Sequence, residues 1–413
     1  MKHANFTKKL ILLSIACFIF LLTATSAYSA VKVDKTDLAF YQRAAKIESY
    51  PLISGKNVRN VILFIGDGMG LNHTTFARFK TVGPTWRLHT ERMPIVGLVG
   101  TYSNNALVTD SAASGTALAT GFKTDNGVVS QLADGREVMT ILEAAKSKGM
   151  ATGLVVTSTI THATPACFAA HVKKRGFQQQ IAEQIIENKV NVLLGGGRKF
   201  FIPKSKPNSA RKDNRDLIKE AIAAGYSYIE TTEQLNSADN PYLLGLFNID
   251  ALTTQEPEPT LAQLTEKAIE ILSKKKKGLF AENKGFFLMV EGSQIDWAAH
   301  ENNPDYCLRQ TILFDQAVKS AIDFALKDRH TLVIVTADHE TGGLVVKGGD
   351  LQGEKLDLNW ATGGHTPSLV PLYAFGPQAQ TFAGVYDNTD VPKRIAKALE
   401  IKNFPKIIEK SRL

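Results

Sequence analysis

Val61-Ile62-Leu63-Phe64-Ile65-Gly66-Asp67-Gly68, residues 61–68, is an unbroken apolar run that stops on a carboxylate held between two glycines. Five apolar residues without alternation read as a strand buried on both faces, as in a parallel sheet covered by helices. The pattern recurs. Residues 286–290 run into Glu291-Gly292, and residues 331–336 run into Ala337-Asp338-His339. Further strand-like runs occupy 95–100, 152–158, 190–194 and 369–375, with helical patterns at 138–148, 176–188, 213–224, 261–277, 304–326 and 391–399. Asn303 followed by Pro304 reads as a cap and a first-turn proline. Buried strands alternating with helices predict an α/β fold, a three-layer sandwich with a mostly parallel central sheet and helices on both faces. Residues 200–260, rich in Asn, Pro and Lys, read as surface excursions. The polar residues of interest spread from Asp67 to His365, so residues 31–413 are expected to form a single domain.

Residues 1–30 stand apart. Lys2, Lys8 and Lys9 precede an apolar stretch at 10–22, and small residues fill 24–30. That is the three-part pattern of a secretory signal peptide, with an apolar part short for a membrane span. Cleavage is expected near 27–30, leaving a protein without membrane anchor in the periplasm or secreted. The formal charge of the 413 residues is +8, and loss of the three lysines lowers it to +5. This modest excess suits anionic substrates and argues against nucleic acid as a partner. Cys167 and Cys307 are the cysteines left after cleavage, too few for a disulfide scaffold.

In an open parallel sheet, ligands bind beyond the carboxyl ends of the strands, and here three strands deliver acids to that edge. Asp296 and His300, four apart, share a helical face and suit two ligands of one ion. His365 precedes the last strand and offers a third. Mixed Asp and His ligation favours zinc, whereas Asp67, Thr164 and Glu291 favour magnesium. Each residue taken singly has an ordinary reading: a turn aspartate, a helix cap, a surface pair. Taken together, buried acids without nearby cations cost several kcal/mol per ion unless neutralised, and metal ions do this. Residues 108–117, Val-Thr-Asp-Ser-Ala-Ala-Ser-Gly-Thr-Ala, place Ser111 beside Asp110 at the start of a small-residue helix, where free N–H groups favour an anion. A serine there is poised to attack phosphorus.

At these stretches the chain resembles the bacterial alkaline phosphatases. The similarity is carried by VILFIGDGMG at 61–70, VTDSAASGTALATG at 108–121, THATPACFAAHVKKRG at 161–176, FFLMVEGSQIDWAAH at 286–300, TLVIVTADHETGG at 331–343 and GGHTP at 363–367. It implies an enzyme that hydrolyses small phosphate monoesters through a phosphoserine on Ser111, with Asp110 beside it and Arg175 clamping phosphate oxygens. It implies two zinc ions per chain, one held by Asp296, His300 and His365 and one by Asp67, Asp338 and His339 next to the Ser111 oxygen. A third site of Asp67, Thr164 and Glu291 would hold one magnesium. His162 stands where aspartate is found in part of the family, and its imidazole favours zinc in that third site. Trp297 stands where lysine or histidine can occur. The resemblance also implies a homodimer. The alternatives are a phosphodiesterase of the same superfamily and a non-catalytic exported metal-binding protein. The first commonly lacks the Thr164, Glu291 and Arg175 set, and the second needs no nucleophile.

Overall fold

Residues 61–65 form the middle of strand β1 (Asn60–Gly66), buried along its whole length. The computed structural model describes residues 38–41, 49–55, 57–274 and 284–409. The signal-peptide reading of residues 1–30 lies outside the described residues. After β1 the chain runs through α1 (Leu71–Thr81), β2 (Ile95–Gly100), α2 (Ser111–Thr120), α3 (Ile141–Ser147), β3 (Ala151–Thr159) and α4 (Ala163–Ala169). Next come α5 (Gln178–Glu187), β4 (Val192–Gly196), α6 (Leu217–Ala223), β5 (Ser227–Ile229), α7 (Thr232–Ser237) and β6 (Leu243–Leu246). They are followed by α8 (Leu261–Ser273), β7 (Phe286–Gly292), α9 (Gln294–His300), α10 (Pro304–Asp328), β8 (Thr331–Thr336), β9 (Glu340–Thr341) and β10 (Leu344–Gly349). The last are β11 (Leu356–Trp360), β12 (His365–Thr366), β13 (Val370–Phe375), β14 (Gly384–Asp387) and α11 (Asp390–Ala398).

Among the described residues ten strands make one sheet, ordered β14-β2-β13-β8-β1-β7-β3-β4-β6-β5. Neighbours are parallel except β13, which runs antiparallel to both β2 and β8. The expected mostly parallel α/β architecture is what forms. Register sets the chemistry: Ile65 lies level with Glu291 of β7 and with Thr336 of β8. Asp67, Glu291 and Asp338 therefore leave the sheet at one edge. Because β13 is reversed, its start lies at that same edge, and this is how His365, upstream of it, joins the acids.

Residues 200–260 differ from the expectation of surface excursions. They contribute β5 and β6, which extend the main sheet at one end. Their strands are only three and four residues long, too short to stand out in a polar stretch.

The helices form where burial and capping agree. In α8 the apolar positions Leu261, Leu264, Ala268, Ile269 and Leu272 are buried, and Thr260 with Gln263 forms a reciprocal cap at its start. Helix α10 begins as the sequence indicated, with the Asn303 side chain accepting from Tyr306 N–H and Pro304 in the first turn. Helices α8 and α10 pack on each other and on β3, β7 and β8, while α3 and α4 pack on β3 and β7 together with α2. Phe64 meets Phe314 of α10 edge-on at 5.7 Å, joining sheet and helix layers in the core. Cys167 and Cys307 are buried free thiols.

Candidate active site

Helix α2 is buried at every position from Ser111 to Thr120. Ala, Ser, Gly and Thr give it no amphipathic stripe, and their small size lets neighbouring backbone close in around it. Asp110 is its N-cap, extended at φ −103°, and its Oδ1 accepts from Ala113 N–H at 2.9 Å. Ser111 is the first helical residue. Its Oγ lies 3.3 Å from His339 Nε2. One turn on, Ser114 Oγ donates to the Asp338 carbonyl at 2.6 Å, fastening the helix to the end of β8.

Three groups of ligand-type side chains surround this serine: Asp67, Asp338 and His339; Asp296, His300 and His365; and Asp67, His162 and Glu291, each set with ligand atoms within 4.8 Å of one another. In the first, His339 Nε2 is 3.5 Å from Asp67 Oδ1 and 3.2 Å from Asp338 Oδ2. Both Asp67 oxygens and Asp338 Oδ2 are buried without a hydrogen bond. The serine hydroxyl and two carboxylates thus face the same ring nitrogen. A Ser-His-Asp relay would place serine and carboxylate on opposite nitrogens, so this is a coordination shell in form. Asp338 Oδ1 is occupied, accepting from the backbone N–H of Gly68 at 3.1 Å and of His339 at 3.0 Å. Gly68 sits at φ +73°, and an added Cβ would lie 2.7 Å from Thr341 Oγ1 and 2.8 Å from Asp296 Cα, so only glycine fits.

In the second group, Asp296 Oδ1 lies 3.3 Å from His300 Nε2 and 3.5 Å from His365 Nε2. His300 Nδ1 contacts the Gly363 carbonyl at 2.7 Å and His365 Nδ1 the Thr109 carbonyl at 2.8 Å. A carbonyl only accepts, so each Nδ1 carries a proton and each Nε2 points toward the shared centre, the usual orientation of metal-binding imidazoles. The two Nε2 atoms stand 3.1 Å apart. Pairing of β12 with β9, His365 opposite Thr341, fixes this placement. Thr341 Oγ donates to Asp296 Oδ1 and lies 3.2 Å from His339 Nδ1, connecting the first two groups.

In the third group Glu291 Oε1 and His162 Nδ1 are buried without partners, and Thr164 stands beside Glu291. His162 Nε2 meets Arg175 Nη2 at 3.3 Å, and Trp297 stacks edge-on to the same imidazole at 5.9 Å. Arg175 Nη1 donates to Asp110 Oδ2 at 3.1 Å, so the guanidinium is held at the rim of the turn that presents Ser111.

The electrostatics have one theme. Burial, and then the neighbouring Asp338, Asp296 and Glu291, push the Asp67 carboxyl well above its ordinary range. Burial pushes Glu291 up to about 7 and lowers His162 to about 4. Burial also raises Asp296, but the facing His300, His365 and His339 rings and the Thr341 hydroxyl outweigh it and hold that carboxyl well below its usual range. Acids packed this densely without compensating charge are costly. Divalent cations fit the donor set, since the orphaned oxygens and the Nε2 lone pairs converge where ions would offset that cost.

The structure brings together Asp67, Asp110, Ser111, His162, Arg175, Glu291, Asp296, His300, Asp338, His339 and His365, with Thr164 beside Glu291. Sequence reasoning passed over Thr341 and the Asn126-Gly127 pair described below. The latter carried a readable turn signal; the former had none beyond lying two residues past His339.

Comparison with known proteins points to one family. A family profile described as alkaline phosphatase matches residues 58–356 and 352–401. Alkaline phosphatase 3 of Bacillus subtilis is 38% identical over 83% of this chain and 89% of that protein. The solved alkaline phosphatase of the Antarctic bacterium TAB5 is similar with a TM-score of 0.75 at 34% identity, covering 84% of this chain and 100% of the other. A histidine-to-aspartate variant of the TAB5 enzyme, solved with magnesium bound in its M3 site, matches with a TM-score of 0.74 at the same 34% identity, over 84% of this chain and 99% of the other.

Proposed function

The chain belongs to the alkaline phosphatase family and is a phosphomonoester hydrolase, and from that premise we propose that Ser111 carries the phosphoryl group through a phosphoserine. The reading rests above all on one observation: Ser111 Oγ, Asp67 and Asp338 converge on His339 Nε2. In this reading Asp296, His300 and His365 hold one zinc ion, and Asp67, Asp338 and His339 with Ser111 hold a second. Asp67, Thr164 and Glu291 with His162 hold a third ion, magnesium or zinc, the imidazole favouring zinc. Bound there, the ions supply charge neutralisation for the buried acids and a lowered pKa for the serine hydroxyl.

The chain's own side chains do the rest. Ser111 is presented at the start of a helix whose free N–H groups favour the incoming anion. Arg175, steered by Asp110, offers a planar pair of donors to two oxygens of the substrate phosphoryl group. The serine O–P bond forms as the alcohol O–P bond breaks; water then cleaves the phosphoserine, and the products are alcohol and inorganic phosphate. Two inversions give net retention at phosphorus. We also propose export to the periplasm or medium on the evidence of residues 1–30, and a homodimer on the family resemblance. Among the described residues no helix is long and apolar enough to cross a membrane.

The test compares p-nitrophenyl phosphate with bis(p-nitrophenyl) phosphate, with and without a chelator. The monoester is hydrolysed much faster, chelation abolishes the activity and added zinc restores it. Ser111→Ala traps no radiolabelled phosphate on the protein. Full activity after demetallation, or label retained on the Ser111→Ala protein, overturns the reading.

A further inference from the structure

The residues presenting Ser111 are gripped from outside the site already described. Asp110 enters α2 in extended conformation, and the backbone of residues 108–110 is held from two sides. On one side the Thr109 carbonyl meets His365 Nδ1 at 2.8 Å. On the other, the side-chain amide of Asn126 takes the place of a neighbouring strand: its Nδ2 donates to the Val108 carbonyl at 3.0 Å and its Oδ1 accepts from Asp110 N–H at 3.1 Å. Asn126 is itself anchored, its N–H donating to Asn105 Oδ1 at 3.0 Å.

Asn126 and Gly127 are the central residues of a turn closed by Val128 N–H on the Asp125 carbonyl at 3.1 Å. Gly127 has φ +86° with open space where a Cβ would stand, so backbone conformation rather than crowding calls for glycine. Gly127 N–H donates to Asp110 Oδ1 at 3.0 Å and its carbonyl accepts from Arg175 N–H at 2.8 Å. The Arg175 guanidinium returns to Asp110 Oδ2 at 3.1 Å. Asp110, Gly127 and Arg175 therefore close a ring of hydrogen bonds, with Asn126 bracing the nucleophile's side of it.

We propose that Asn126 is a positioning residue for the nucleophile, and that the Asn126-Gly127 turn is the strut holding Ser111 and the phosphate clamp Arg175 at a fixed separation. The inference rests on the phosphoserine reading above. Asn126 is exposed and lies outside the three ligand groups, so its removal acts through alignment. A misplaced reacting atom lowers the rate of bond formation steeply, and loss of this two-point brace is expected to cost about tenfold in phosphorylation rate.

The experiment uses the metal-loaded protein and reads four quantities for wild type, Asn126→Ala and Gly127→Ala: kcat/KM for p-nitrophenyl phosphate, the inhibition constant of inorganic phosphate, bound zinc and Tm. Asn126→Ala is expected to lose about tenfold in kcat/KM while phosphate inhibition, zinc content and Tm stay at wild-type values. Gly127→Ala, strained at positive φ, is expected to lose rate and to weaken phosphate inhibition severalfold, because the Arg175 anchor shifts with it. Wild-type kcat/KM in Asn126→Ala, or a loss that tracks falling zinc or Tm, overturns the proposal. Phosphate label on wild-type protein reports the phosphoserine reading separately, so the two fail independently.

Discussion

Removing the Thr341 hydroxyl would leave Asp296 without one of its donors and the His339 Nδ1 proton without its acceptor. That hydroxyl has one proton, which it gives to Asp296, so toward His339 Nδ1 it can only accept. His339 is thereby held as the tautomer whose Nε2 lone pair faces Asp67 and Asp338. Outer partners of this kind commonly carry 10- to 100-fold in metal affinity, so Thr341→Val is expected to weaken binding of the proposed zinc by about that factor, with Thr341→Ser close to wild type. Competition against a chromophoric chelator measures it, and equal affinities for Val and wild type would refute the role. Residues such as Asp67, His339 and Ser111 were legible in sequence because their chemistry is unusual at a strand end or helix start. Thr341 and Asn126 were not, because a threonine in a strand and an asparagine in a turn gain meaning only from what folds against them.

At the scale of elements, α2 and α4 meet across Gly115. A Cβ built there lies 3.2 Å from Cys167 Sγ, 3.4 Å from its Cβ and 3.6 Å from Thr164 Cα. The branched side chain of Gly115→Val cannot be accommodated without moving α4, and overpacking of this sort costs about 1–3 kcal/mol. Chemical denaturation of the metal-loaded protein should show that loss; an unchanged midpoint would mean the helices separate freely. Helices α4 and α1 mark the limit of reading elements from pattern. Helix α4 is buried at every position and the buried face of α1 is half polar, His73 and Thr74 beside Phe76 and Ala77, so neither shows the apolar stripe that exposed α8 in the sequence. Continuous apolar strands were recognisable because parallel strands bury both faces. The short β5 and β6 were hidden among polar residues.

For the whole molecule, stability should carry the imprint of buried acids away from the catalytic edge. Glu91 is mostly buried, and burial, only partly opposed by Arg78 and the Leu88 N–H, pushes its carboxyl from 4.5 to about 7. Between these values the folded protein holds a proton that the unfolded chain has released, so stability falls as pH rises through that window. Glu91→Gln lacks this component. The variant should gain on wild type by roughly 1–3 kcal/mol between pH 4.5 and 7, with no further change above. A difference in unfolding free energy that stays constant from pH 5 to 8 would contradict it. Topology was the least legible property at this scale: a mostly parallel sheet followed from the strand composition, but the reversal of β13 depends on which neighbours it pairs with, and nothing in its own residues announces it.

That reversal has a temporal side. A polypeptide emerges from its amino end, so Ser111 is made before His365, which faces Asp296 only after the chain has doubled back into β13 between β2 and β8. A nascent or truncated product stopping before that point has its serine but an unfinished cage around it. Turnover thus begins only once the chain has been made past β13, and enzyme activity doubles as a report that synthesis has gone beyond that strand.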